Sequence, residues 1–256
     1  MRRSAFLLLL ALILEAQPPN GVWVVGHRGF KAVAPENTIA SFEAAAAVGT
    51  DYMELDVHQT KDGELIVMHD GKVDRTTNGK GAVHDLTFAE IRKLDAGERQ
   101  QVPTLREALL WAKQKGVRID IDHKDGPVED IARVVRETGM TKRVVIEGPR
   151  DRLKRFGELL PGVDTMPHVE SLEDIRSACE LLHTTVVRLS LEQLAKPEDV
   201  EAVHKCGARV SVTILGKEDN EEGIRRVITE GAELIETDHP DVVANVRHTA
   251  KYTPNH

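Results

Sequence analysis

The feature that most limits the fold of this chain is a regular alternation of short apolar runs with longer amphipathic stretches. The runs have the length of buried strands, and the stretches between them place apolar residues at helical spacing. The predicted strands cover residues 22–25, 52–57, 117–122, 143–146, 163–166, 186–189, 208–214 and 233–237. The predicted helices cover residues 38–48, 104–115, 128–138, 150–160, 172–182, 197–205, 221–230 and 241–249, and Asn37 is the predicted N-cap of the first.

Eight such strand–helix repeats with short returns predict an α/β fold, a (β/α)8 TIM barrel. A doubly wound open sheet is the alternative, but no glycine-rich dinucleotide loop follows the first strand. The second repeat is longer, because an extra β-run at residues 65–68 and a stretch of about residues 70–101 precede its helix. We expect one barrel domain over residues 21–250 with this short insertion over its mouth.

The N-terminal residues have the pattern of a secretory signal. Arg2 and Arg3 precede an apolar run at residues 5–14, which is shorter than the roughly 20 residues that a membrane span needs. We expect a signal peptide at residues 1–16, cleaved after Ala16, and a secreted or periplasmic protein with no stable membrane span after signal removal. An uncleaved interfacial anchor is the alternative.

Charge and cysteine content narrow the class of protein further. The net charge is -8 with no long basic run, which argues against nucleic acid as a partner. The two cysteines, Cys179 and Cys206, lie in or near neighbouring predicted helices. A disulfide is compatible with export, but we expect two separate buried thiols.

Acidic side chains at strand ends predict a metal site. In a barrel, the functional groups lie at the carboxyl ends of the strands, where His27, Asp56, Asp122 and Asp238 are expected. Glu54 and Asp56 point to the same face, so their charges repel unless a cation neutralises them. Such oxygen ligands favour a divalent cation, Mg²⁺ or Ca²⁺.

Histidines and basic side chains complete the candidate site. His27 and His69 are the predicted proton-transfer pair, because imidazole can act as acid or base near neutral pH. Arg28 offers a planar fork for two phosphate oxygens. The other histidines considered are expected at the surface or behind the reacting groups: His58, His84, His123 and His168.

Three stretches of the chain closely resemble the signature of the glycerophosphodiester phosphodiesterase family. They read HRGFKAVAPENTIASFEAA, DYMELDVHQTKDGELIVMHD and KVDRTTNGKG, and they agree with the family in order and spacing. The resemblance implies a TIM barrel that hydrolyses a small-molecule glycerophosphodiester to glycerol 3-phosphate and an alcohol. It also implies the loop with Glu36 and Asn37, and a closing turn at Thr237-Asp238-His239-Pro240.

The family has an acid-x-Lys step on its third barrel strand, which Asp122-His123-Lys124 resembles. The resemblance therefore implies Asp122 as the third metal ligand and Lys124 as a phosphate contact. Asp120 shares a strand face with both residues, and a register with Asp120 as the ligand stays open.

Two departures from the family pattern concern the walls of the site. Glu147-Gly148-Pro149 stands where relatives usually have Ser-Phe, and Val212-Thr213 stands where a Trp-Thr pair is common. Substrate choice is therefore open while the catalytic set is intact. A phospholipase D-like enzyme acting on intact lipids is one alternative, although 4% aromatic residues offer little apolar rim. A non-catalytic phosphate-ligand-binding barrel is the other.

Overall fold

A computed structural model describes residues 18–182 and 184–249, so the predicted signal peptide at residues 1–16 lies outside the described residues. The strands are β1 Trp23–Gly26, β2 Tyr52–Gln59, β3 Leu65–Val67, β4 Arg118–His123, β5 Val144–Gly148, β6 Asp164–Pro167, β7 Val186–Leu189, β8 Arg209–Ile214 and β9 Leu234–Thr237. The helices are α1 Ile39–Ala47, α2 Phe88–Ile91, α3 Leu105–Lys115, α4 Val128–Thr138, α5 Arg150–Leu159, α6 Leu172–Leu182, α7 Leu191–Leu194, α8 Pro197–Lys205, α9 Glu221–Glu230 and α10 Pro240–Val246.

Eight of the strands form one parallel sheet that curls into a barrel. Its order is β6-β5-β4-β2-β1-β9-β8-β7, and β3 pairs with β2 in the antiparallel sense. An isolated bridge between His168 and Arg188 joins the β6 end of this order to β7. The predicted TIM barrel is confirmed, and the open sheet is excluded because its two outer strands would not meet.

The interior of the barrel is apolar toward the amino ends of the strands and polar toward their carboxyl ends. Side chains including Val25, Tyr52 and Met166 pack together inside it. The outward residues Leu55, Ile119 and others join the helices in larger clusters. Because side chains alternate along a strand, the inward positions toward the carboxyl ends fall on acidic and basic residues. The site therefore lies on a rigid, packed base.

The register of neighbouring strands brings acidic positions level with one another. Glu54 of β2 lies opposite Asp120 of β4, and Asp56 lies opposite Asp122. Asp122 in turn lies opposite Glu147 of β5. Three adjacent strands thus present carboxylates at matching heights.

The stretch of residues 70–101 follows β3 and has a small apolar core of its own. That core contains Ile66, Met68, Val73, Val83, Ile91, Ala96 and Val102. Helix α2 in this stretch begins at a capping box, in which Thr87 accepts from the Glu90 backbone and the Glu90 side chain accepts from the Thr87 backbone. Its packing against β3 fixes the excursion to the barrel.

The prediction of two separate buried thiols is wrong, because Cys179 and Cys206 form a disulfide with Cα atoms 6.0 Å apart. Helices α6 and α8 pack side by side, which brings the two residues within bonding range. Cys206 is also exposed, since it caps the end of α8 rather than lying on its inner face.

Across residues 18–182 and 184–249, no helix has both the length and the apolar character that crossing a membrane requires.

Candidate active site

The loop from β1 to α1 is shaped around the backbone of Arg28. Arg28 has φ +57° and Gly29 has φ +85°, and a Cβ on Gly29 would lie 2.7 Å from the backbone carbonyl carbon of Ser41. Only glycine fits such a position without displacing the helix. The Arg28 N–H donates to Glu54 Oε2 at 2.8 Å, and the Arg28 carbonyl accepts from the Asn37 N–H at 3.0 Å. The loop therefore holds the sequence His27-Arg28 directly over β2.

His27 is buried beside the last strand of the barrel. Its Nδ1 lies 2.7 Å from Oδ1 of Asp238, and Lys31 Nζ lies 3.0 Å from the same oxygen. Burial acts to raise the pKa of Asp238, but the contacts with His27 and Lys31 outweigh it and lower that pKa. A charged carboxylate on Nδ1 orients the ring, so Nε2 is the nitrogen that would serve the predicted proton transfer. Nε2 lies 3.9 Å from Glu236 Oε1.

His69 follows β3 and has the same arrangement at a more exposed position. Its Nδ1 lies 2.6 Å from Oδ1 of Asp70, and Arg75 contacts both oxygens of that carboxylate. His58 Nε2 lies 3.1 Å from the His69 carbonyl and its Nδ1 contacts Asp125, which supports the backbone of His69 from below. The two predicted proton-transfer residues thus each have a carboxylate partner on Nδ1.

Glu36 joins the β1–α1 loop to the stretch of residues 70–101. Its carboxylate accepts from Arg28 Nη1 at 3.0 Å and from two nitrogens of Arg75 at 2.7 and 2.8 Å. Burial acts to raise the pKa of Glu36, but hydrogen bonds from Arg75 and Arg28 outweigh it and lower that pKa to about 2. Glu36 therefore fixes the Arg28 side chain beside the barrel mouth.

The sequence predicted Asn37 as the N-cap of α1, and this prediction is wrong. Thr38 is the cap, and Asn37 instead has φ +57° and donates from Nδ2 to Asp56 Oδ2 at 2.7 Å. The residue types that favour N-caps also tolerate the left-handed conformation, so the sequence alone does not distinguish the two roles.

Asp56 is buried and has a basic partner on each side. Lys124 Nζ lies 2.9 Å from its Oδ1, and Arg28 Nε lies 3.6 Å from its Oδ2. Lys124 also contacts Asp122. Burial acts to lower the pKa of Lys124, but attraction by Asp56 and Asp122 outweighs it and raises that pKa. The two predicted phosphate-binding side chains, Arg28 and Lys124, therefore flank the same carboxylate.

Glu54 and Asp122 belong to a group of oxygens that suits a cation. One ligand atom each from Glu54, Asp122 and Glu147 lie within 4.8 Å of one another. Burial, followed by the neighbouring carboxylates, raises the pKa of Glu54 well above its usual value. The pKa of Asp122 is raised by burial and by Glu147, with Lys124 opposing. These hard oxygen donors fit Mg²⁺ or Ca²⁺, either of which would relieve the repulsion among them.

The structure also brings together polar residues that the sequence reasoning did not select for the site. They are Glu147, Arg188, Thr213 and Glu236, whose side chains meet inside the barrel. Glu236 lies two residues before Asp238 and therefore faces the same way, a signal that could have identified it. Arg188 interrupts the apolar strand β7, which is a second such signal.

Asp120, the open alternative to Asp122, lies deeper in the barrel. Its Oδ2 is 3.4 Å from Arg188 Nη2, and its Oδ1 is buried without a hydrogen-bond partner among the described residues. Asp122 lies closer to the mouth and contacts Lys124.

Two of the other histidines lie behind or beside the site. His168 contacts Glu147 at 2.8 Å, whereas His123 is buried and bonded to the Gly126 carbonyl.

Comparison with known proteins gives a consistent result. The model of the Glycerophosphoryl diester phosphodiesterase family matches residues 27–242. A glycerophosphodiester phosphodiesterase of Caldanaerobacter subterraneus subsp. tengcongensis is 33% identical over 87% of this chain and 96% of its own length. A crystal structure of a glycerophosphodiester phosphodiesterase from Agrobacterium tumefaciens has TM-score 0.80 and 29% identity, covering 88% of this chain and 99% of that one.

A phosphodiesterase from Oleispira antarctica, solved in complex with the product sn-glycerol-3-phosphate, has TM-score 0.77 and covers 87% of this chain and 95% of its own. Its sequence identity is 23%, so this likeness concerns the fold.

Proposed function

Because this chain belongs to the glycerophosphoryl diester phosphodiesterase family, we propose that it hydrolyses glycerophosphodiesters to glycerol 3-phosphate and an alcohol. One observation carries the proposal. Two histidines, each with a carboxylate on Nδ1, lie at the same barrel mouth as a buried carboxylate group and two basic side chains. The names of the relatives support the same reaction.

Arg28 and Lys124 bind the phosphate of the substrate in this proposal. Arg28 is held by Glu36, so its planar fork is preorganised and loses little freedom when it binds an anion. Lys124 is charged, because Asp56 and Asp122 favour its ammonium form. Together they place positive charge where the diester carries its negative charge.

His27 and His69 transfer the protons. One imidazole accepts a proton from the attacking oxygen, and the other donates a proton to the departing alkoxide. Asp238 and Asp70 orient the two rings from Nδ1. The sequence does not assign which histidine is the acid, and kinetics with two different leaving groups distinguish them.

Glu54, Asp56 and Asp122 are the proposed ligands of one divalent cation, Mg²⁺ or Ca²⁺. Glu54 and Asp122 share a group of close oxygens with Glu147, whereas Asp56 lies outside that group and contacts Lys124 and Asn37. When bound, such a cation stabilises the negative charge that develops on the phosphate oxygens. Asn37 and Lys124 fix the Asp56 side chain by contacting its Oδ2 and Oδ1. Oδ1 therefore lies beside Lys124 and Oδ2 beside Arg28, the two phosphate-binding side chains of this proposal.

The test is release of glycerol 3-phosphate from glycerophosphocholine by the purified protein. We expect release with the wild type and loss of it in Lys124→Met, while the exposed Lys80→Met in the stretch of residues 70–101 behaves as the wild type. Lysophosphatidylcholine serves as a lipid substrate in parallel. Choline is released from both substrates, whereas the lipid leaves lysophosphatidic acid instead of glycerol 3-phosphate, so choline release compares the two. Faster choline release from the lipid would favour the phospholipase D-like alternative, and no choline release from either substrate would contradict the proposed reaction.

We also propose that the protein is exported. The charged start and apolar run at residues 1–16 motivate this, and the Cys179–Cys206 disulfide is consistent with an oxidising compartment. N-terminal sequencing of protein from the periplasm or medium should find a start near Gln17. Intact protein beginning at Met1 in the cytosol would argue against export.

A further inference from the structure

Arg188 is a cation inside the barrel that the proposed reaction does not use. Its side chain is 10% exposed, and its guanidinium reaches from β7 to four other strands. Nη1 lies 2.5 Å from Glu236 of β9 and also contacts Thr213 of β8. Nη2 lies 3.1 Å from Glu147 of β5 and 3.4 Å from Asp120 of β4. One side chain therefore contacts three carboxylates from three strands.

Those three carboxylates themselves form a group with the spacing of metal ligands. Oxygens of Asp120, Glu147 and Glu236 lie within 4.8 Å of one another. This group shares Glu147 with the carboxylate group nearer the mouth, which contains two of the proposed cation ligands, Glu54 and Asp122. Among the described residues, the two groups made only of carboxylates overlap at Glu147, and Arg188 contacts every member of the deeper one. A third group joins His27 to Glu54 and Glu236.

A second observation indicates that this deeper group is built for a positive charge. Asp120 is 2% exposed, and its Oδ1 has no hydrogen-bond partner among the described residues. A buried carboxylate oxygen in that condition is costly unless a cation lies near. Among the described residues, the cation in contact with Asp120 is Arg188, whose Nη2 lies 3.4 Å from the other carboxylate oxygen, Oδ2.

We propose that Arg188 is a positioning residue that takes the place of a second metal ion. Its planar fork holds Glu147 and Glu236 in fixed directions, so the barrel accepts one divalent cation rather than two. The inference rests on the proposed catalytic cation and adds a statement about how many ions bind and why.

Removing the charge of Arg188 should leave the deeper group in need of another cation. Arg188→Met keeps a long side chain but leaves Asp120, Glu147 and Glu236 without their shared counter-charge. Buried carboxylates in that situation must take up protons or a cation. In the presence of Ca²⁺, uptake of the ion removes the repulsion, whereas in chelator the variant should be much less stable than the wild type.

The experiment is equilibrium dialysis of the purified full chain against Ca²⁺, with the bound ion counted per chain. We expect one ion in the wild type, one in Arg188→Lys, which keeps the charge, and two in Arg188→Met. The double variant Arg188→Met/Glu236→Gln lacks both the guanidinium and one carboxylate of the deeper group. It should therefore bind one Ca²⁺ again. A merely structural role for Arg188 would not change these numbers.

Thermal unfolding covers the case in which Arg188→Met folds poorly. Added Ca²⁺ should raise the unfolding midpoint of that variant more than it raises the midpoint of the wild type. One ion in Arg188→Met, or the same Ca²⁺-dependent rise as in the wild type, would overturn the role of Arg188 and leave the proposed reaction intact. No ion in the wild type would overturn both.

Discussion

At the scale of single residues, the proposed proton transfer depends on His27 and His69. Replacing either by Gln should lower kcat roughly a hundredfold or more, the usual effect of losing a positioned acid or base. The variant that lacks the acid should lose far more activity on glycerophosphocholine than on a p-nitrophenyl diester, because p-nitrophenolate departs without protonation. His84→Gln, at an exposed position, is the control. Equal losses on both substrates would mean that the two histidines position the phosphate instead.

Glu36 gives a prediction about pH. Its folded-state pKa of about 2 lies below the usual 4.5, so its contacts with Arg75 and Arg28 stabilise the fold above about pH 4.5 and lose that effect as the pH falls toward 2. Glu36→Gln should lower the free energy of unfolding by about 2 kcal/mol near neutral pH, after allowance for solvent screening. Urea unfolding should show a similar cost near pH 5 and a smaller one near pH 3. The exposed Glu98→Gln should show no such trend.

The choice between Asp120 and Asp122 is also a question about single residues. Asp122 lies near the mouth beside Lys124, and Asp120 contacts Arg188 below it. We expect Asp122→Asn to weaken Ca²⁺ binding about tenfold or more, because it removes a proposed charged ligand of the cation. Asp120→Asn should change the affinity much less. Isothermal titration with Ca²⁺ measures both, and the reverse order would make Asp120 the ligand.

At the scale of secondary-structure elements, local patterns determined most boundaries. The helices α4, α6, α8 and α9 begin and end at the residues that the periodicity predicts. Helices α3 and α4 end at Gly116 and Gly139, both in the left-handed conformation that stops a helix. The packing of one element on another was less predictable, as the disulfide between α6 and the end of α8 shows.

The Cys179–Cys206 disulfide should stabilise the packing of α6 on α8. The disulfide joins residues that are 27 positions apart in sequence. Closing a loop of that length predicts a stabilisation of about 3–4 kcal/mol from the lost chain entropy of the unfolded state. The double variant Cys179→Ala/Cys206→Ala should lose about that much free energy of unfolding in urea while keeping wild-type kcat. Reduced wild type is the matched control, and it should unfold at the same urea concentration as the variant. An unchanged midpoint in both would contradict the loop-entropy argument.

At the scale of the whole molecule, barrel closure concentrates negative charge at one end. Carboxylates from β2, β4 and β5 meet there because the parallel register aligns them. A divalent cation that binds the folded form alone should raise the thermal unfolding midpoint, and exhaustive chelation should lower the midpoint and abolish turnover. Calorimetry with EDTA, then with Mg²⁺ or Ca²⁺ restored, tests this. Full activity after chelation would remove the carboxylate argument.

The sequence by itself determined the strand and helix pattern, the barrel, and the candidate acids, imidazoles and cations along and after β1 to β4, but not those of β5, β7 and β9. These features depend on local periodicity and on side-chain alternation, which neighbouring residues encode. The tertiary structure alone decided that Glu147, Glu236 and Arg188 meet, that Asn37 binds Asp56, and that the two cysteines pair. Such contacts join residues far apart in the chain, and their distances depend on how the strands tilt and stagger as the barrel closes.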